Sequence, residues 1–358
     1  MSNIYGLMAD VHLHAWSSFS TTLRDGMNSR LAGLLSEIRR CATEVVAAGG
    51  RNVIIAGDVF HIRGSVAPSV LNPTCDTLRD IGKTLGVKFI ILAGNHDLEG
   101  KEATRLGSAI TALECEHVHI CNKVHIDAEL GVMLVPWIES IASLKEEIVA
   151  LTKLDAHDHR NFDLILHAPI DGVIKGLPLH GLSPEWLAEL GFKRVAGGHY
   201  HNHKRFEGNI MSIGALAHHT WSDIGTKAGF LLVHPDKVDW RKSHLPEFID
   251  LSQLVDLDPD DIPFMVDKNY VRVKVEASKS KDVEKARKEL IDMGAAAVIV
   301  QSMPKPPVRE GSERATVSAG GSLEVSVVDF IKGSPSVSVE EVTKQALEVL
   351  AACDELGE

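Results

Sequence analysis

Five times in the first 201 residues an apolar run ends in a short cluster of Asp, His or Asn, and this recurrence constrains the fold more than any other feature of the chain. The runs read Met8-Ala-Asp10-Val-His12, Ile54-Ile-Ala-Gly57-Asp58-Val-Phe-His61, Ile90-Ile-Leu-Ala-Gly94-Asn95-His96-Asp97, Leu164-Ile-Leu-His167 and Val195-Ala-Gly-Gly198-His199-Tyr-His201. Residues two apart share a strand face, so Asp10 and His12, with His14, are expected to project together from the first run. In an open α/β sheet ligands sit at the carboxyl edge of the strands, and five strand ends would deliver polar side chains to that edge. Gly57, Gly94 and Gly197-Gly198 come just before the polar residues, as suits backbone that turns tightly near a ligand.

The runs alternate with helical patterns around Leu31 to Ala48 and Cys75 to Leu85, which is the signature of a layered α/β fold. Further strands are expected at Val132 to Val135, Leu164 to His167, Arg194 to Ala196, Ile210 to Ile213 and Gly229 to Val233. Several of these have little helix between them, which favours a two-sheet β-sandwich flanked by helices over one doubly wound sheet. All 18 histidines precede residue 250, and the acidic, Pro-containing stretch 256–263 reads as a linker. Beyond it, Tyr270 to Glu276, Lys281 to Met293 and Ala296 to Gln301 form a compact β-α-β pattern. The stretch Pro304 to Gly321 reads as mobile, Leu323 to Ile331 as a strand, and Ser338 to Leu356 as a closing helix capped by Ser338 with Glu341. The organisation read from the sequence is thus a first domain over 1–250, a small α/β domain over 264–335 and a C-terminal helical segment over 336–358.

At 358 residues and 44% hydrophobic content, the chain can bury the cores of two domains. It has no apolar run near the roughly 20 residues a membrane span needs, and no basic start followed by an apolar core, so the expected location is the cytoplasm, with no membrane partner. The five cysteines show no C-x-x-C spacing, which argues against a disulfide framework and against a thiolate zinc site. The net charge of −12 speaks against a broadly basic nucleic-acid surface, although carboxylates that hold cations count as negative only in the unloaded protein.

Seven candidate ligands, Asp10, His12, Asp58, Asn95, His167, His199 and His201, exceed the need of one ion. Oxygen and imidazole donors without thiolate suit Mn²⁺, Mg²⁺, Fe²⁺ or Zn²⁺. A pair of ions about 3.5 to 4 Å apart needs one carboxylate between them, and an Asp from a central strand is the natural bridge.

In their order, D-x-H at Asp10 and His12, G-D at Gly57 and Asp58, G-N-H-D at Gly94 to Asp97, a lone histidine at His167 and G-H-x-H at Gly198 to His201 resemble the motifs of calcineurin-like metallophosphoesterases. The resemblance implies that Asp10, His12 and His201 bind one ion, that Asn95, His167 and His199 bind the other, and that Asp58 bridges. It implies that His96 faces the phosphate and protonates the leaving oxygen or stabilises its charge, with Asp97 orienting His96 from behind. A hydroxide activated by the cations would attack phosphorus in line with the leaving group.

Within that superfamily, Gly57-Asp58-Val59-Phe60-His61 is similar to the G-D-[LV]-F-H of SbcD-type nucleases, in which the last histidine, here His61, helps seat the substrate. Those nucleases carry a small capping domain after the core, which Tyr270 to Gln301 fits. They act on DNA ends with an SbcC-like coiled-coil ATPase, on which a C-terminal segment docks, and related nucleases dimerise. The resemblance therefore implies a DNA exonuclease, with endonuclease activity also open, that uses two divalent ions, foremost Mn²⁺. From Lys268 to Arg314 the sequence has eleven Lys or Arg against seven Asp or Glu, a local net of +4 that suits either a phosphate-tracking segment or a solvated surface.

The first motif departs from the cellular nucleases, because Leu13-His14-Ala15-Trp16-Ser17-Ser18-Phe19 follows His12, and bacteriophage-encoded relatives are more similar here. His14, His218 and His219 are expected either in the substrate groove or in the core, Trp16 and Trp221 in packing roles, and His203 outside the ligand set. His117, His119, His125, His157, His159, His180, His234 and His244 sit outside any motif and read as surface or structural. A small-substrate phosphodiesterase or phosphatase is the enzymatic alternative. A non-catalytic scaffold is the third, and the intact seven-ligand set argues against it.

Overall fold

Runs of four or five apolar residues bounded by polar or glycine positions become the central strands. The computed structural model describes residues 3–253, 258, 260–276, 280–303 and 342–347. It divides into two units, Met1–Met303 and Pro304–Glu358. In the second unit residues 342–347 are helical, while the expected mobile stretch 304–321, the strand 323–331 and the remainder of the helix 338–356 lie outside the described residues, as do residues 256, 257 and 259 of the 256–263 linker, whose last two residues begin a short helix.

The first unit begins with β1 (Tyr5–Met8), α1 (Ser29–Ala47), β2 (Asn52–Ala56), α2 (Pro68–Leu85), β3 (Lys88–Leu92) and β4 (Val118–Cys121). Next come β5 (His125–Asp127), β6 (Val132–Val135), α3 (Ile141–Thr152), β7 (Asp163–His167), α4 (Pro184–Glu189), β8 (Arg194–Gly198), β9 (Lys204–Arg205) and β10 (Ile210–Ser212). The strands β11 (Gly229–Val233) and β12 (Val238–Lys242) return to the first sheet, whose order is β12-β11-β1-β2-β3-β4, and the second sheet runs β5-β6-β7-β8-β10-β9.

Alternation along the strands explains the layering. Leu7, Ile54 and Ile90 of the first sheet meet Leu134 and Ile165 of the second between the sheets. Their neighbours Met8, Ile55 and Ile91 point outward and pack on Leu34 and Ile38 of α1 and Leu78 and Ile81 of α2. On the far side Leu144 and Ile148 of α3 and Leu187 of α4 cover Met133, Leu164 and Val195. The result is helix, sheet, sheet, helix, and each fully buried Leu or Ile contributes roughly 1.5 to 3 kcal/mol. Asn28 caps α1 by accepting from the backbone N–H groups of Arg30 and Leu31 at 3.0 and 3.1 Å.

A third, parallel sheet joins β13 (Phe248–Asp250), β14 (Tyr270–Glu276) and β15 (Ala297–Met303), with α5 (Ile262–Val266) and α6 (Ser280–Asp292) between them. The β-α-β pattern expected over 270–301 is β14, α6 and β15. Its sheet also recruits β13, which precedes the linker. The Asp250 carboxylate accepts from Arg272 at 2.6 Å across β13 and β14. The Phe19 ring stacks on Tyr270 with centroids 4.6 Å apart, tying this sheet to the loop after the first motif. No helix of the described residues is long and apolar enough to cross a membrane.

Candidate metal centre

The strands β1, β2 and β3 run parallel in one sheet, and β7 and β8 run parallel in the other. Their carboxyl ends therefore deliver Asp10 and His12, Asp58, Asn95, His167 and His199 to one place. The first motif does not continue its strand, contrary to the face-sharing expected for Asp10, His12 and His14. β1 stops at Met8, and Asp10, His12 and Asp58 adopt φ of 49°, 47° and 52°, with His199 at 105°. The cause is a second set of backbone hydrogen bonds. Asp10 N–H donates to the Gly57 carbonyl at 3.1 Å, His12 N–H to the Asp58 carbonyl at 3.0 Å and Leu13 N–H to the Val59 carbonyl at 2.8 Å. Left-handed backbone at non-glycine residues costs about 1 to 3 kcal/mol each and persists where the surroundings enforce it, commonly at functional sites. Glycine is required beside it. A Cβ on Gly94 would collide with the backbone nitrogen and carboxylate of Asp58, and Gly57, at φ 89°, lies against the His167 ring.

Three overlapping donor groups result, one of them His12, His61 and His96. One ligand-type atom from each of Asp10, His12 and His201 falls within 4.8 Å of the others, and the same holds for Asp10, Asp58 and His167. Asp58 faces both sides, with Oδ2 3.8 Å from His12 Nε2 and Oδ1 3.4 Å from His167 Nε2. Asn95 Oδ1 lies 3.1 Å from His167 Nε2 and 3.1 Å from His199 Nδ1, and the Nε2 atoms of His12 and His201 are 3.2 Å apart. All seven expected ligands are thus brought together.

The hydrogen-bond chemistry of this set fits cations. His167 Nδ1 lies 2.8 Å from the Ala56 carbonyl, which can only accept, so in the neutral ring Nε2 is a lone pair aimed at the oxygens of Asp58 and Asn95. Lone pairs facing one another need a positive charge between them. Without a metal a proton serves, and although burial opposes it, Asp58 lifts His167 up to about 9. His201 is arranged alike, with Nδ1 2.7 Å from Asp223 Oδ1, so its Nε2 is free to ligate. Burial lowers His201, but the bond to Asp223 outweighs it and the net shift is upward. Burial and then His167 hold His199 down to about 3, which leaves it neutral, as a metal-binding imidazole must be.

His96 and Asp97 part company. His96 N–H donates to Asp58 Oδ1 at 2.8 Å, and its ring Nδ1 meets the His61 carbonyl at 2.7 Å. Asp97 is fully buried, and its carboxylate accepts from the backbone N–H groups of Gly94, Phe60 and Val59 at 2.9, 3.0 and 3.3 Å. The expected contact of Asp97 behind His96 is corrected accordingly, because the ring nitrogen it would take is already bonded to His61 and its own oxygens serve the loop framework. Burial and then the neighbouring Asp58 push Asp97 up to about 7.

His61 stacks on His96 with centroids 6.0 Å apart and stands edge-on to His12 at 5.4 Å. Trp16 packs against His61 at 4.3 Å and stacks on His219 at 5.6 Å, while Arg272 lies over Trp221 at 4.4 Å, so both tryptophans have packing roles. His218 and His219 belong to the buried framework: His219 Nε2 lies 2.9 Å from the Asp10 carbonyl, and His218 Nδ1 accepts from Phe248 N–H at 3.1 Å. His14 is half-buried, edge-on to Trp16 at 5.3 Å. His203 Nδ1 bonds the Ser212 carbonyl at 2.8 Å, outside the donor sets. The sequence reading missed Asp223, which holds His201, and Trp137, whose ring lies 5.3 Å from that of His199.

Two packed sheets that converge seven Asp, Asn and His side chains at their carboxyl edges define a metal-binding hydrolase of the phosphoester-cleaving class. The chain belongs to the calcineurin-like phosphoesterase family, whose sequence profile matches residues 5–203 and whose members typically bind two divalent metal ions. It is thus a metal-dependent phosphoesterase. No curated protein matches the sequence significantly. Among solved structures, a dimetal phosphatase from Danio rerio is similar, with 12% identity over 64% of this chain and 92% of that one and a TM-score of 0.39.

Proposed function

We propose that this phosphoesterase is a nuclease that hydrolyses phosphodiester bonds at the ends of double-stranded DNA. In this reading Asp10, His12 and His201 hold one divalent ion, Asn95, His167 and His199 hold the second, and Asp58 lies between them. When bound, the two ions supply Lewis acidity and a nucleophile from water at neutral pH, and Mn²⁺ suits the oxygen and imidazole donors. The chain's own residues do the rest. His96 keeps Nδ1 on the His61 carbonyl and presents Nε2 to the leaving oxygen, where it donates a proton or stabilises negative charge.

The observation that carries the diester reading is His61. It lies outside the two cation sets assigned above, although a donor atom of His61 falls within 4.8 Å of those of His12 and His96, and its Nδ1 is buried with no hydrogen-bond partner among the described residues. A buried, unmet ring nitrogen calls for a ligand atom. Burial and then His14 hold His61 down to about 4, so it meets that atom as a neutral imidazole, suited to a sugar or phosphate oxygen. On the small domain Lys268 and Lys285 of the basic segment are exposed, but each is paired with an acid, Asp267 at 3.7 Å and Glu289 at 3.8 Å, so these two add no net positive charge. The same reading includes a homodimer and an SbcC-like ATPase partner that docks on segment 336–358.

The net charge of −12 favours the second reading, a phosphatase or phosphodiesterase acting on small substrates. Mn²⁺-dependent digestion of end-labelled linear duplex DNA separates the two, run with wild type and His96→Ala and with metal content determined on both. Release of nucleotides by wild type, lost in His96→Ala with both ions retained, supports the nuclease. A metal-loaded wild type that leaves DNA intact, even with the ATPase partner added, and turns over a cyclic nucleotide overturns it.

A further inference from the structure

A second group of metal-type donors lies away from the centre, where β4 closes one edge of the first sheet and β5 closes one edge of the second. His119 and Cys121 are two apart on β4 and so share a face, and Cys121 places that face in the core between the sheets. His125 stands opposite Leu134 in the β5–β6 register, and Leu134 belongs to the same inter-sheet core. The connection of only three residues between β4 and β5 folds these positions onto one another.

The donor atoms of His119, Cys121 and His125 all lie within 4.8 Å of one another, and the two rings are 4.7 Å apart. Among the described residues none of these three side chains is engaged in a hydrogen bond, and Cys121 is a free thiol. A cleft of about 910 Å³ is lined by His119 and His125, and also by Asp127, Glu129 and Glu116. Asp127 shares the face of His125 on β5.

We propose that His119, Cys121 and His125 form a mononuclear Zn²⁺ site, separate from the dinuclear centre, with water or Asp127 as the fourth ligand. One thiolate and two imidazoles suit tetrahedral Zn²⁺. The ion ties the free edge of one sheet to the free edge of the other. The absence of C-x-x-C spacing, which argued against a thiolate zinc site, weighs against sites built from paired thiolates; here a single thiolate joins two imidazoles in an H-x-C-x₃-H pattern across a strand connection. Burial and then Asp127 push the Cys121 thiol up to about 12, and burial and then His119 lower His125. Binding therefore releases the thiol proton, and affinity rises with pH.

Cobalt tests this without reference to catalysis. The dinuclear centre offers only oxygen and nitrogen donors, so a thiolate-to-cobalt charge-transfer band in the near ultraviolet reports the second site alone. Metal-free full-length chain titrated with Co²⁺ is expected to develop that band, and Cys121→Ser is expected to lack it while still binding cobalt at the dinuclear centre. His119 is exposed, so His119→Ala preserves the core, and it should weaken the band's apparent affinity by roughly tenfold or more. Zinc content should fall by one equivalent in Cys121→Ser. A wild type that binds cobalt without the band overturns the proposal, as does a band that survives Cys121→Ser or an affinity unchanged in His119→Ala.

Discussion

His96 donates its Nδ1 hydrogen to the carbonyl oxygen of His61, 2.7 Å away. Because a carbonyl only accepts, this bond sets the proton on Nδ1 and leaves Nε2 as the atom able to face a substrate. It is one of several ties between two loops. His96 N–H also meets Asp58, and Asp97 accepts from Val59 and Phe60. Three consecutive residues therefore go three ways: Asn95 toward His167 and His199, the His96 ring onto the His61 carbonyl, and Asp97 into the framework.

Replacing His96 by Ala should lower kcat by about 10² to 10⁴-fold, the range for loss of a general acid, while metal content stays at the wild-type value. The loss should shrink with an activated nitrophenyl phosphodiester, whose leaving group needs no proton. Equal losses on both substrates would assign His96 a structural role instead. Steady-state kinetics on the two substrates decide it.

Asp97→Asn should destabilise the protein by about 1 to 3 kcal/mol, because the new amide nitrogen faces backbone N–H groups that the carboxylate accepted. Turnover should fall as well, through the displaced His61 carbonyl and the His96 ring it holds. Urea unfolding followed by circular dichroism reads the first effect. A variant as stable as wild type would show that the three N–H bonds to Asp97 contribute little.

The strands and the ligands were legible because each central run is apolar, short and closed by its own polar cluster. That pattern survives folding residue for residue in β2 and β3, whereas α2 begins at Pro68, seven residues before the expected start near Cys75. The conformation of the first motif was not legible. Its two-residue spacing imitates a strand, whereas hydrogen bonds to residues 57 to 59 hold Asp10 and His12 at positive φ. No local pattern near Asp10 records that partner. Asp223 was hidden for a related reason: it lies 22 residues after His201 inside a Thr220 to Asp223 capping turn, so its signal is that of a turn residue. The strand β13, three residues long, is defined by its partner β14 and by Asp250 with Arg272 more than by its own sequence.

Asp223→Asn should weaken metal binding by about 10 to 100-fold, as losses of a carboxylate behind a ligating histidine do. The carboxylate holds the His201 ring through Nδ1 and also accepts from the backbone N–H groups of His219 and Thr220 at 2.8 Å each. Activity should return at high Mn²⁺ concentration, since the ligands themselves are intact. Calorimetric titration of the metal-free variant measures the affinity, and an unchanged value would remove Asp223 from the site.

Tyr5 should make the protein sensitive to alkali. Its hydroxyl donates to Asp163 Oδ2 at 2.7 Å between the sheets, and Arg194 donates to both oxygens of the same carboxylate at 2.7 Å. Burial first, and the Asp163 charge next, push the phenol well above its ordinary value near 10. Below about pH 10 the phenol is protonated in both folded and unfolded chains, so its contribution to stability is fully present. Above it the unfolded chain ionises and the native one does not, so stability falls with rising pH by up to about 1.4 kcal/mol per unit for this one group. Tyr5→Phe should cost about 1 kcal/mol at neutral pH through the lost hydrogen bond, yet decline less steeply above pH 10. Denaturation midpoints of both proteins across the alkaline range check this, and parallel declines would place the sensitivity in other groups.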